Sequence, residues 1–474
     1  MKKPLYNNDM FNLKKWSPQE VVLATAIVLI AAIYSYFFIY LPQYWTLRDD
    51  YGFALKWGAN PDKVVDYGWA YLKGIMTHGR FQPMDVLNRV IHYGILPIDA
   101  RYFRISFFIS VFISVVSFVG ILRVFGCARD QILLAVLLLV SNHSLKEMLT
   151  TMTVSERIGA MYFMVALWAY SANWKNSQWW ALLIFPLSFF GKESFVVLAP
   201  VFAVVAFFQK NKKSNAGLIV ALLLMIEALI FVIFIRNLPK LYTEGLSYSN
   251  LGFFSILRSF VEPLIKSFGP GVIFILLPLS QKKIWNTLSQ AQRALVAIGA
   301  ATVVIFTLFI NMWGPFDSWF YLHVIIPFGW AFIVAGLVRS KFLVTRVGFV
   351  FLALTIVYQV ISVVNGSKNY YDYFERSRQV ADYACHEWRK NPHIKLVSNC
   401  HEGSQQLSRY LLGENKCASD FKVDYLRTTE SEFDFFANTS KNTLVLYSRY
   451  CDNWVSLGFR PKGLSFGAWT VVAR

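Results

Sequence analysis

The chain has 474 residues, 56% of them hydrophobic and 17% aromatic, and only 16% are charged. A typical soluble protein carries roughly 25% charged residues, so a soluble globular protein is excluded. The net charge of +18 does not point to nucleic acid, because the basic residues sit in short loops between apolar runs, which is the pattern of membrane topology.

A hydrocarbon core about 30 Å thick takes about 20 apolar residues per helix. That ruler predicts an α-helical polytopic membrane protein with eleven spans, near 21–41, 105–124, 132–141, 158–172, 179–190, 195–208, 217–235, 271–279, 294–310, 319–338 and 347–364. The first is long, aromatic at its end and without a small-residue cleavage site, so it reads as a retained helix. Lys2, Lys3, Lys14 and Lys15 precede it, Arg123 and Arg129 follow the second, and Lys210, Lys212 and Lys213 follow the sixth. Lys282 and Lys283 follow the eighth, and Arg339, Lys341 and Arg346 the tenth. With eleven spans all of these fall on one side, as the positive-inside rule requires. The N-terminus is then cytoplasmic and residues 365–474 lie outside.

The first exported segment, 42–104, opens with Leu47-Arg48-Asp49-Asp50-Tyr51 and continues with apolar residues spaced for interfacial amphipathic helices. Asp49 and Asp50 read either as a polar boundary after a helix or as a general base with a helper or cation ligand. Further on stands Thr77-His78-Gly79-Arg80-Phe81-Gln82-Pro83. It reads as a turn with a surface Arg, or as a phosphate site in which the planar guanidinium grips oxygens. The turn between spans three and four holds His143, Lys146, Glu147, Glu156 and Arg157. Each reads first as a solvated turn residue, and Glu147 or Glu156 is the candidate for a second carboxylate.

Gly191-Lys192-Glu193-Ser194 lies at the exported mouth between spans five and six. Lys192 and Glu193 are a structural pair or an anion site. Glu227 lies inside the seventh span, where charge is costly, and reads as a structural group. A second exported segment, 237–269, contains Phe253, Phe254, Ile256, Leu257, Phe260, Val261 and Leu264 at helical spacing. Asp317 and His323 flank the tenth span on the same side.

The tail, 365–474, reads as a helix near 370–389, strands at 394–398, 443–447 and 468–472, and a helix at 405–412, hence a small exported α/β domain. Four of the five cysteines, Cys385, Cys400, Cys417 and Cys451, lie there, and Cys127 falls in a cytoplasmic turn. An even set in an exported domain reads as two disulfides, with three pairings open. No C-x-x-C spacing supports the metal-site alternative. The domain reading is therefore a transmembrane module over 1–364, with exported loops 42–104 and 237–269, followed by the exported domain 365–474.

The charged candidates gather on the exported side, which suggests an active site at the outer boundary of the bilayer. Asp49-Asp50 after the first span, Gly79-Arg80-Phe81 in an amphipathic first loop, and Gly191-Lys192-Glu193-Ser194 followed by Leu198-Ala199-Pro200 together resemble the GT-C superfamily of polytopic glycosyltransferases. The chain looks most like the bacterial branch that includes the serotype-converting O-antigen glucosyltransferases. The resemblance implies an inverting transferase of the bacterial inner membrane with its C-terminal domain in the periplasm. It implies transfer of a sugar, glucose in that branch, from a polyprenyl-phosphate carrier to a glycan acceptor such as O-antigen in lipopolysaccharide. It further implies Asp49 as base, Asp50 as helper or metal ligand, Arg80 and Lys192 on the carrier phosphate, and His78, Glu193, Glu147 and Glu156 around the substrate. A divalent cation serves some relatives and not others, so no cofactor is assigned. Expected partners are the lipid-linked donor, the glycan acceptor and the bilayer, and no nucleic acid. An O-antigen polymerase or ligase and a lipid or sugar transporter are the alternative readings. The first favours a large late loop rich in Arg and His. The second favours a polar path through the spans, for which Glu227 alone offers a step.

Overall fold

The protein is described from a computed structural model, over residues 16–41, 57, 60–96, 100–142, 145, 148–149, 155–172, 174, 176–209, 215–238, 257, 261, 264–265, 268–272, 286, 288–311, 324–338, 345–391, 393, 395–398, 423–425, 443–448, 460–466 and 469–473. Helix α1, Pro18–Ser35, starts at a capping box in which Ser17 and Glu20 satisfy each other's backbone N–H groups, with Pro18 in the first turn. It ends in a π-helical turn, Tyr36–Tyr40. Leu23, Ala26, Ile30 and Tyr34 face the bundle, while Val21, Val22, Val28 and Leu29 are exposed. An apolar outer face is what lipid, not water, allows.

Two amphipathic helices follow, α2 (Val64–Met76) and α3 (Pro83–Ile95). The bundle continues with α4 (Ala100–Val124), α5 (Arg129–Val140), α6 (Glu156–Ser171) and α7 (Ser177–Gly191). A 3₁₀ turn, Glu193–Leu198, leads into α8 (Ala199–Gln209), then α9 (Ala216–Arg236), α10 (Gln290–Asn311) and α11 (Ile326–Leu337). Among the described residues five helices are long and apolar enough to cross a membrane: Pro18–Tyr40, Arg101–Val124, Ala216–Arg236, Gln290–Phe309 and Arg346–Asn369, so the chain is a multi-pass membrane protein. Helices also stand on the shorter segments expected near 132–141, 158–172, 179–190, 195–208 and 319–338. Most of the segment 271–279 and of the loop 237–269 falls outside the described residues.

Helices α1 and α5 run parallel. Glu20 meets Arg129 at 3.4 Å at their starts, and the Tyr34 hydroxyl donates to the Val140 carbonyl at 3.0 Å at their ends. Cys127, in the turn before α5, is a free thiol that burial pushes up to about 12.

The last helix corrects the sequence reading. A span at 347–364 and a separate tail helix near 370–389 are one continuous helix, α12, Arg346–Lys390. At 1.5 Å per residue it is about 67 Å long, roughly twice the hydrocarbon thickness. It packs against β4 and β5 of a five-stranded sheet. The strands are β1 (Lys395–Ser398), β2 (Val423–Tyr425), β3 (Thr443–Ser448), β4 (Arg460–Phe466) and β5 (Trp469–Ala473), in the order β2-β1-β3-β5-β4. β1 is parallel to β2 and β3, and β5 is antiparallel to β3 and β4. β1, β3 and β5 fall on the three segments read as strands. The helix expected at 405–412 lies outside the described residues.

Candidate active site

The site is built where the turn between α2 and α3 meets the C-terminal end of α7. Helix α2 stops at Met76, and Gly79, with φ 77°, takes the left-handed conformation that turns the chain back. Arg80 N–H then donates to the Ile75 carbonyl at 3.0 Å. Phe81 anchors the loop by inserting its ring among Phe190 of α7 and Phe231 and Phe234 of α9, at centroid distances of 5.9, 6.5 and 5.1 Å. On either side of this plug, Arg80 and Gln82 reach the same carboxylate. Arg80 Nε lies 3.9 Å from Glu193 Oε1, and buried Gln82 donates from Nε2 to Glu193 Oε2.

Gly191 brings the end of α7 onto the start of α6. A side chain there would stand 3.3 Å from the Gly159 backbone nitrogen and 3.0 Å from the Ile158 side chain. That close approach puts Lys192 Nζ 3.0 Å from Oε1 of Glu156, the first residue of α6, where a helix N-terminus favours a carboxylate. Burial alone would lower the Lys192 pKa, but Glu156 and Glu193 outweigh it and hold it above the ordinary lysine value. The ammonium therefore stays charged throughout the neutral range. Glu156 Oε2 and Ser194 Oγ are buried without a hydrogen-bond partner among the described residues.

Arg157, beside Glu156, is buried. Its Nη1 donates to the Met148 carbonyl at 3.1 Å, and its guanidinium lies 3.6 Å from the centre of the Phe107 ring on α4. The inner face of α3 extends the same charged interior. Asp85 and Arg89 pair at 2.9 Å, and Arg89 lies over Tyr71 at 5.6 Å. His92 bonds Ser106 and the Asn88 carbonyl and stacks on Phe103. Burial, opposed by the Asn88 carbonyl and reinforced by Arg157, holds the His92 pKa below its ordinary value. Arg104 lies 5.7 Å over Phe38 of the π turn.

Helix α3 is thus inverted relative to a soluble amphipathic helix. Asp85, Arg89 and His92 point inward, while Leu87, Ile91 and Ile95 are 46%, 48% and 74% exposed. The outward apolar stripe suits lipid and the inward polar stripe suits a charged ligand. In this region the described cations Arg80, Arg89, Arg104, Arg157 and Lys192 outnumber the described acids Asp85, Glu156 and Glu193, so the interior favours an anion.

The sequence candidates Arg80, Lys192, Glu193 and Glu156 are therefore brought together. His78 is exposed, with Nδ1 2.8 Å from the Gly74 carbonyl at the end of α2. Asp49, Asp50 and Glu147 lie outside the described residues. Trp57, later in the acid-bearing loop, is 3% exposed among the rings of Tyr67, Tyr71 and Tyr93. Gln82, Asp85, Arg89, His92 and Arg104 are buried polar residues of the same region that sequence reasoning missed. Among the described residues no three His, Cys, Asp or Glu side chains are grouped to hold a metal ion, since these acids face cations instead.

No family model matches the chain, and no curated protein matches it in sequence. In structure it is similar to ArnT from Cupriavidus metallidurans in the apo state, with a TM-score of 0.50 and 13% identity over 96% of this chain and 98% of that one. The same protein bound to undecaprenyl phosphate gives a TM-score of 0.49 with the same identity and coverage. Over nearly its whole length, the chain shares its fold with that protein.

Proposed function

We propose that the chain is a GT-C-type glycosyltransferase that moves a sugar from a polyprenyl-phosphate carrier to a glycan acceptor outside the cytoplasm. One observation carries this reading. A cation-rich cluster of half-buried Arg80 and Lys192 and buried Arg157 stands behind an amphipathic helix whose apolar face is turned outward. Such a wall admits a ligand that is both lipid and anion, which is what a polyprenyl phosphate is. The GT-C fold supports the same assignment as analogy.

In the proposed reaction an acceptor hydroxyl attacks the anomeric carbon from the face opposite the phosphate. The new C–O bond forms as the C–O bond to phosphate breaks, with inversion. Asp49 takes the acceptor proton, with Asp50 as helper or cation ligand. The departing phosphate gains charge, and Arg80 and Lys192 stabilise it there more than in the ground state. Glu193 holds Arg80 in place, with Gln82 on its other oxygen. Glu147 is assigned to substrate binding, as is His78, which is exposed at the end of α2. The acceptor is O-antigen and the sugar glucose, and the compartment is the bacterial inner membrane. Eleven spans with a cytoplasmic N-terminus set the exported tail 365–474 as an α/β domain with two disulfides. The buried Cys385, which is held as a disulfide and not as a thiol, supports that last point.

The test is a comparison of cell-surface glycan composition with and without the protein. The proposal expects a new side-branch residue on an unchanged backbone. Altered chain length without a new residue would favour a polymerase.

A further inference from the structure

The phosphate-binding cluster leaves two buried polar atoms unused. Glu156 is 1% exposed, and its Oε1 faces Lys192 while its Oε2 has no hydrogen-bond partner among the described residues. Ser194 Oγ, two residues beyond Lys192, is in the same state. Buried polar atoms are nearly always satisfied, so two orphans in one place ask for a ligand. They do share one place. A side chain on Gly191 would stand 3.0 Å from Ile158, and one on Gly159 would stand 2.5 Å from the Phe195 ring, so residues 191–195 lie directly against residues 156–159.

The chemistry of the two atoms selects the ligand group. An ionised carboxylate only accepts, and a hydroxyl both donates and accepts. A phosphate oxygen is repelled by Glu156 and belongs on the ammonium beside it. A sugar hydroxyl donates to Oε2 and exchanges a hydrogen bond with Ser194. In a sugar phosphate, the 2-hydroxyl, on the carbon next to the anomeric carbon, is a neighbour of the phosphate, as Glu156 is of Lys192 at 3.0 Å. Lys192 already neutralises Glu156, so a sugar ammonium would crowd a second cation onto that pair, and a sugar carboxylate would be repelled by Glu156.

We infer that Glu156 and Ser194 form the subsite that reads the ring hydroxyls of the donor sugar, and that this sugar is neutral and hydroxylated. The inference rests on the carrier reading above. A site built around a substrate hydroxyl rejects the analogue lacking it much more strongly than an apolar pocket does, because its own buried groups are then left unpaired.

The experiment uses the full chain in lipid nanodiscs and measures displacement of a fluorescent polyprenyl phosphate. The competitors are polyprenyl phosphate, polyprenyl-phosphate glucose, its 2-deoxy and 3-deoxy analogues, and the glucosamine and glucuronate counterparts. The wild type should prefer the glucosyl lipid over at least one deoxy analogue by about tenfold to a hundredfold, and over both charged sugars. In Ser194→Ala the deoxy preference should shrink to within about threefold, with affinity for polyprenyl phosphate itself retained, and in Glu156→Gln the deoxy preference measured relative to polyprenyl phosphate should shrink likewise. Glu156→Asp serves as a second variant where the amide fails to fold. A wild type without deoxy discrimination, or variants that keep it in full, overturns the subsite while leaving the carrier reading intact. No displacement by any polyprenyl phosphate removes the carrier reading and the subsite with it.

Discussion

The Lys192–Glu156 pair gives a prediction whose size follows from the geometry. The charges are 3.0 Å apart, and the side chains are 15% and 1% exposed. Removing one partner of a buried pair leaves an uncompensated charge and typically costs about 3–5 kcal/mol. Replacing both with uncharged groups of similar shape is often nearly neutral. Lys192→Met should therefore destabilise the protein strongly, because Glu156 is left buried at the start of α6. Glu156→Gln should cost less, since Glu193 still attracts Lys192. The double variant should recover most of the loss in Lys192→Met. With a change of roughly 1–2 °C per kcal/mol for a chain of this size, the Lys192→Met midpoint should fall by about 3–10 °C. Thermal unfolding followed by tryptophan fluorescence in detergent measures this at a fixed scan rate. An unchanged midpoint in Lys192→Met, or additive losses in the double variant, would refute the buried pairing.

Two further outcomes follow from the same region. Phe81→Ala empties the cage formed by Phe190, Phe231 and Phe234, at a cost of about 3–5 kcal/mol where the ring is fully enclosed and less here, where it is partly exposed. It should lower sugar transfer at least tenfold with the protein still in the membrane, because Arg80 and Gln82 lose their common anchor; normal activity would show that the loop is held elsewhere. The depressed pKa of His92 means that the folded state binds fewer protons than the unfolded state between that value and the ordinary one, near 6.5. Stability should therefore be full above about pH 6.5 and fall as the pH drops through that window, by at most about 1.4 kcal/mol per unit. His92→Asn should flatten the slope in a pH series of unfolding midpoints, and an unaltered slope would assign the acid sensitivity to other groups.

Many of the helices are legible in the sequence, because hydrophobic length is what a bilayer selects. The single long α12 was not. Hydropathy falls after residue 364, but a change of polarity is not a helix break, and no proline interrupts 346–390. β2 is three residues long, and β4 carries Arg460, Pro461, Lys462 and Gly463 across a bulge between Pro461 and Ser465, so neither has the alternation of a strand. In the site, Arg80, Lys192 and Glu193 stand out as charges beside apolar runs. Asp85 and Arg89 do not, since an i,i+4 acid–base pair on an amphipathic helix ordinarily marks a solvated face. The available signal was that 83–95 lies between two apolar helices, where an amphipathic helix can turn its apolar face outward and its polar face inward. Gln82 carries no charge and nothing in its local pattern marks it. Its role appears only once Glu193, distant in sequence, folds against it.

The central claim is donor-dependent sugar transfer at the exported boundary. The most direct measurement is release of polyprenyl phosphate from a radiolabelled polyprenyl-phosphate glucose by the purified chain in nanodiscs, with and without glycan acceptor. The account predicts acceptor-dependent release with label appearing on the glycan, and its loss in Asp49→Asn and in Lys192→Met at temperatures where both remain folded. Release that ignores the acceptor, or full transfer by both variants, would contradict it.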